Sequence, residues 1–199
     1  PWCVSCGRPF AHMAEGEGQV CGACLESPPL YDHARAAFAY KGAARKLVLN
    51  LKYADKLYLA PLLADWLTRA VQGLPNLPHD QTLLIVPVPL HWQRLLGRQY
   101  NQSAELARAL VQHQQPHRPL PKMAYAPNLV KRVRATPPQG SADAPSRHLN
   151  VRRAFEVTDP GAVEGAHIIL VDDVITTGAT VDELAKVLKR AGAARVDVV

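Results

Sequence analysis

The sequence predicts an α/β domain built on a parallel sheet flanked by helices, with a small cysteine-rich segment ahead of it, and three stretches carry that prediction. Leu83 to Val88 and Ile168 to Val171 are continuous apolar runs too short for helices, as expected of strands covered on both faces. The second run leads through two carboxylates into a small-residue turn, an amphipathic helix and another apolar stretch, Arg195 to Val199, which together read as a βαβ unit. All four cysteines lie near the start, as the two C-x-x-C pairs Cys3/Cys6 and Cys21/Cys24.

Two such knuckles joined by a polar loop can place four thiolates around one tetrahedral centre, with Zn²⁺ the expected ion. A four-thiolate site has no open position, so its predicted role is structural, and a segment this short is expected to fold on its metal. A pair of disulfides and a redox motif are the alternatives. The expected division is a zinc ribbon over residues 1–30 and an α/β domain over 31–199.

Beyond the linker Ser27-Pro-Pro-Leu30, Arg35 to Tyr40 reads as a strand and Gly42 to Tyr53 as an amphipathic helix. Pro61 suits the first turn of a second helix, with Leu62, Leu63, Trp66, Leu67 and Ala70 as its apolar stripe. Lys52 and Asp55 read first as solvated charges at a helix end, with a place facing the ligand cleft as the alternative. Pro87 and Pro89 are compatible with the strand at 83–88 only where pairing ends. The following loop, His91 to Gln102, contains Arg94, Arg98, Asn101 and Gln102 and no acid, and leads into a helix from about Ser103. Its side chains are donors suited to a diphosphate whose charge Mg²⁺ shares; a basic surface loop is the alternative.

Residues 111–130 carry no clear pattern. Between Arg118 and Arg153 there are eight Lys/Arg against a single acid, Asp143, so the net charge of +6 is concentrated there. From Leu129 the chain turns basic and apolar and then passes into a Pro/Gly/Ser loop ending at Arg147 to Phe155, which reads as a mobile lid or as a disordered basic linker. The sequence is 48% hydrophobic and 20% charged, which predicts a packed core. Without a membrane-length apolar run or a signal-peptide pattern, the expectation is a cytoplasmic protein with no membrane insertion.

The most informative stretch is Asp172 to Thr180. Asp172 and Asp173 stand at a strand's carboxyl end, where open α/β sheets hold ligands. Val174, Ile175, Thr176, Thr177, Gly178, Ala179 and Thr180 then form a turn whose N–H groups, at the positive end of a helix, suit a phosphate. Thr180 and Glu183 have the spacing of a capping box. A ribose lying back over the strand end would offer its hydroxyls to the two acids, so a ribose 5-phosphate is the expected ligand.

The apolar run, the two acids and the Thr-Thr-Gly-Ala-Thr turn resemble the phosphoribosyl-pyrophosphate (PRPP) signature of type I phosphoribosyltransferases. With the paired knuckles, Leu51-Lys-Tyr53, Val86-Pro-Val-Pro-Leu-His91, Arg98-Gln-Tyr-Asn101-Gln102, Arg132-x-Arg134-x-Thr136-x-x-Gln139 and Arg147-x-x-Asn150-Val151, nearly the whole chain is similar to the ComF family of competence-type proteins. Gln99 stands where that family normally has glycine. The resemblance implies a type I phosphoribosyltransferase-like fold joined to a zinc ribbon, with a hood around residues 131–151 that includes Arg132, Arg134, Arg147 and Asn150. It further implies PRPP and Mg²⁺ as ligands, Asp172 and Asp173 as the catalytic pair, and a link to single-stranded DNA and to protein partners in the competence machinery. A DNA-handling protein without catalysis, with the phosphate turn as sensor or relic, is the alternative function.

Overall fold

The computed structural model describes residues 2–10, 18–53, 56–92, 95, 99–112, 120–135 and 151–199. Four parallel strands, β1 (Leu83–Pro87), β2 (Met123–Tyr125), β5 (His167–Val171) and β6 (Arg195–Val198), form a sheet in the order β2-β1-β5-β6. The register pairs Leu84 with Ile168 and Pro87 with Val171 across β1 and β5, and His167 with Arg195 across β5 and β6. Pro87 therefore ends its strand, as its missing N–H requires.

Both faces of this sheet are covered, which is why its central strands are apolar without alternation. Ile85, Ile169 and Val171 pack against α3 (Ala60–Gln72) and α4 (Gln102–Gln112) through Leu67, Val71, Leu106 and Leu110. Val86, Ile168, Leu170 and Val196 pack on the other side against Val181, Leu184 and Leu188 of α6 (Ala179–Arg190). The two remaining strands, β3 (Val130–Arg132) and β4 (Phe155–Val157), form a separate antiparallel ribbon whose Val130 and Phe155 join the α6 side. A short helix, α5 (Pro160–Val163), precedes β5; α1 (Gly22–Glu26) and α2 (Gly42–Tyr53) lie earlier in the chain.

Three expectations about local structure change. Arg35 to Tyr40 is not a strand. The sheet edge is extended one step earlier, where Asp32 N–H donates to Val196 O, Val198 N–H to His33 O and Arg35 N–H to Val198 O, with a single bridge at Ala34. The buried face of α3 is rotated: Leu62 and Trp66 are 50% and 42% exposed, while Ala64, Thr68 and Val71 turn inward. Trp66 packs edge-on to Phe38, with the Arg69 guanidinium over its ring. The capping box at α6 does not form. Gly178 caps the helix in the left-handed conformation, and Glu183 accepts the Arg153 N–H at 2.8 Å.

The cysteine segment is docked on the sheet domain. Ala34 N–H donates to Ser5 O, and the buried Arg35 spans the junction, donating to Val4 O on one side and Gly73 O, just beyond α3, on the other. Gly7 (φ +69°) lies so close to Ala34 that a Cβ would be 2.4 Å from the Ala34 carbonyl oxygen, so no side chain fits there. The linker is held in turn: Leu30 N–H donates to Asp182 on α6, and Asp32 pairs with Lys189 and accepts the Val196 N–H.

Asp197 on β6 is fully buried between His33, His167 and Arg195. Burial alone would raise its carboxyl, but the His167 hydrogen bond and the Arg195 guanidinium outweigh it and hold the group below the usual carboxylate range. Arg195 also donates to the carbonyls of Pro75 and Asn76, tying the α3–β1 connection to the sheet. Among the described residues no helix is long and apolar enough to cross a membrane.

Candidate functional site

Strand β5 ends in the acid pair, and the pair is already engaged by other elements. Ser103 Oγ, at the start of α4, and the Asp173 N–H both donate to Asp172 Oδ1, at 3.2 and 2.9 Å. Lys52, near the end of α2, places Nζ 2.8 Å from Asp173 Oδ2. Burial first, and the adjacent Asp173 charge second, push the Asp172 carboxyl up to about 7. Lys52 was expected to be a solvated charge; it is a half-buried partner of the site. Asp55 lies outside the described residues.

The turn that follows fulfils the steric requirements of an anion cradle. Gly178 has φ +80°, a conformation disfavoured for any residue with a side chain, and from it α6 begins with its N–H groups unpaired by the helix. Asp172 to Gly178 line one wall of a cavity of 280 Å³, while Ala179 and Thr180 form the first turn of α6. The opposite walls come from elements remote in sequence: Cys6 to Pro9 of the cysteine segment, Tyr31 of the linker, and Phe38 and Tyr40 ahead of α2. Sequence reasoning found the acid pair and the turn but not these walls, because their approach to β5 is set by docking contacts that leave no local pattern.

Two of the expected diphosphate ligands have other work. Asn101 donates to Val88 O and accepts the Ser103 N–H, so it shapes the entry to α4. Gln102 is 2% exposed and donates to Lys52 O, while Tyr100 donates to Leu51 O. These residues grip the final turn of α2 and so aim Lys52, and Asn101 and Gln102 have these scaffold partners beside the ligand role expected of them. Arg98, Arg147 and Asn150 lie outside the described residues. Arg132 and Arg134 sit at the end of β3 and just beyond it, Arg132 with its guanidinium over Phe155, and neither lines the cavity.

Gln99 has φ +65°, which explains why glycine suits this position: a left-handed residue closes the turn in which its N–H donates to Leu95 O. Gln99→Gly is expected to raise stability by about 0.5–1 kcal/mol, the relief of backbone strain being partly offset by a more flexible unfolded chain. Urea unfolding of the two chains measures it.

The four cysteine Sγ atoms lie within 4.8 Å of one another and are free thiols, which sets aside the disulfide alternative. Cys6 and Cys21 Sγ are 3.7 Å apart, close to the roughly 3.8 Å edge of a tetrahedron with metal–sulfur bonds of about 2.3 Å. Burial raises the Cys6 and Cys24 thiols, whereas at Cys3 N–H donors from Cys21, Cys6 and Ser5 outweigh burial and bring it down to about 6, so a bound metal would have to displace protons from Cys6 and Cys24. The cluster can hold a metal ion such as zinc.

Comparison with known proteins agrees with this geometry. The family described as "Phosphoribosyl transferase domain" matches residues 105–199, which hold β5, the acid pair and α6. Along nearly its whole length the chain is similar to "DNA utilization protein YhgH" of Salmonella typhi, with 36% identity covering 98% of this chain and 81% of that one. It is similar to "Competence protein F" of Haemophilus influenzae, with 31% identity covering 100% and 82%. It is also similar to "Competence protein ComFC" of Bacillus subtilis, with 26% identity covering 96% and 73%. With the parallel sheet, the acid pair and the docked cysteine cluster, these similarities establish that the chain belongs to the ComF family of phosphoribosyltransferase-like proteins.

Proposed function

We propose that this protein binds PRPP and transfers its ribose 5-phosphate to an acceptor, in a pathway that handles DNA as the names of its relatives suggest. The observation that carries the reading is the junction of the acid pair with the Gly178 turn on one wall of a single cavity. The turn at 174–180 would hold the 5-phosphate, and Asp172 and Asp173 would accept hydrogen bonds from the ribose 2- and 3-hydroxyls. Arg98 would hold the pyrophosphate, and Arg132, Arg134, Arg147 and Asn150 would belong to the hood.

In the transfer, a nucleophile on the acceptor forms a bond to ribose C1 and releases its proton. The C1–O bond breaks, and pyrophosphate leaves with the electron pair. The transition state gathers positive charge on the ribose, so carboxylates at its hydroxyls and cations on the leaving group are both favourable. Asp173 is already paired with the Lys52 ammonium, an arrangement that does not suit a divalent cation bound directly to the acids. Mg²⁺ would therefore accompany the diphosphate and supply positive charge to the leaving group. Cys3, Cys6, Cys21 and Cys24 would hold Zn²⁺ in a structural role.

Calorimetric titration with PRPP and Mg²⁺ tests the reading. Hydroxyl donors favour the ionised form of Asp172, so binding at pH 7 is expected to release protons, and affinity to rise between about pH 6 and pH 8. The unliganded protein shows the complementary trend. Because the folded state holds this proton more tightly than the unfolded chain, the contribution of Asp172 to stability declines as pH rises from the ordinary 3.8 through about 7. Absence of any PRPP binding would refute the proposal; binding without proton release would refute the role given to Asp172.

A further inference from the structure

The residue that joins the linker to the cavity is Tyr31. It is 93% buried (7% exposed), and its ring lines the cavity together with Thr176, Thr177 and Gly178. The position a Cβ would take on Gly178 lies 3.7 Å from the Tyr31 hydroxyl oxygen, so the phenol stands beside the turn that opens α6. No hydrogen bond joins this hydroxyl to any described residue. The ring is buried, but the hydroxyl oxygen is not among the buried side-chain atoms that lack a partner, so it keeps access to the cavity. Its position is nonetheless fixed on both sides: Leu30 N–H is bonded to Asp182, and Asp32 to the Val196 N–H and to Lys189. A donor held this rigidly, unpartnered and next to the positive end of a twelve-residue helix, is arranged for an anion.

We infer that Tyr31 is a binding residue, and that its hydroxyl donates a hydrogen bond to the 5-phosphate group of a ribose 5-phosphate ligand seated on the 176–178 turn. The inference rests on the reading of the site given above and adds to it a contact from outside the sheet domain. It means that phosphate recognition is shared between the α6 turn and the linker that carries the cysteine cluster. The chemistry required of the ligand is a dianionic monoester at the end of a sugar; a diphosphate on C1 plays no part in this contact.

Tyr31→Phe removes the hydroxyl and keeps the ring. The variant and the parent chain are titrated with ribose 5-phosphate, with PRPP plus Mg²⁺, and with inorganic pyrophosphate. Loss of a hydrogen bond to a charged group predicts an affinity about 10- to 100-fold weaker for both sugar phosphates, with pyrophosphate binding unchanged. The melting temperature is expected to stay the same or rise, because no protein partner loses its bond. Unchanged ribose 5-phosphate affinity in Tyr31→Phe, beside normal binding by the parent, would overturn this inference and leave the PRPP reading intact. A melting temperature lowered by several degrees would overturn it too, by revealing a structural partner for the hydroxyl. If the parent binds neither sugar phosphate, the PRPP reading itself falls, and Tyr31 with it.

Discussion

The D172N/D173N double variant is expected to fold and to bind PRPP at least 100-fold more weakly than the parent chain. Each carboxylate is assigned a hydrogen bond from a ribose hydroxyl, and a bond to a charged group contributes about 1.5–3 kcal/mol, so losing both removes about 3–6 kcal/mol. Asparagine keeps the shape and the acceptor oxygen for Ser103 but not the charge. The fold should tolerate the change. Burial already opposes ionisation of Asp172, and the like-charge repulsion between neighbouring carboxylates disappears with them. The cost falls on Lys52, which loses its counter-charge at Asp173 but is half-buried and close enough to solvent to hydrate. Titration calorimetry with PRPP and Mg²⁺ supplies the measurement, beside a denaturation curve for each chain. Parent-like affinity in the double variant would remove the acid pair from the site. A DNA affinity that falls in step with PRPP affinity would instead tie the two activities to one surface.

The second large effect is expected at the cysteine cluster. Cys24→Ser, or a strong chelator, should abolish stoichiometric zinc binding and unfold residues 2–10 and 18–26 while the sheet domain retains its cooperative transition. Among the described residues of this segment Cys3 and Cys24 are the buried apolar ones, so its order is expected to depend on a bound metal and on docking. Apparent binding free energies for structural zinc sites of about 10–16 kcal/mol far exceed what the contacts of Val4 and Ser5 with Arg35 and Ala34 can replace. Metal analysis and hydrogen exchange read the outcome directly. Full protection of residues 2–10 in a zinc-free chain would show that docking alone folds the segment. Because Cys6 to Pro9 wall the cavity, ligand affinity should fall in the same variant, with the sheet still intact.

What could be read from the sequence was local. Ile168 to Val171 announced a strand because both faces of β5 are covered, and the acid pair and Gly178 followed it within a few residues. The knuckles were legible because ligand spacing is itself a sequence pattern. Strand β2 was not, since three residues between polar and proline-rich flanks carry no periodicity. Leu62 and Trp66 looked like core because hydropathy does not reveal which neighbour a helix face meets. Lys52 was misjudged for a related reason: a charge near a helix end becomes part of a site only through the grip of Tyr100 and Gln102, about 50 residues later. The same long-range placement hid Arg35 and Tyr31. The scaffold bonds of Asn101 and Gln102 were not legible either, because an amide's chemistry is the same toward a phosphate as toward a carbonyl.

Helix α6 holds two distant segments by their backbones, Leu30 through Asp182 and Arg153 through Glu183. Both carboxylates lie within the first two turns of the helix that Gly178 opens. Whatever tightens that turn will therefore pull on the cysteine segment and on the β3–β4 ribbon at once, like two ropes made fast to one cleat.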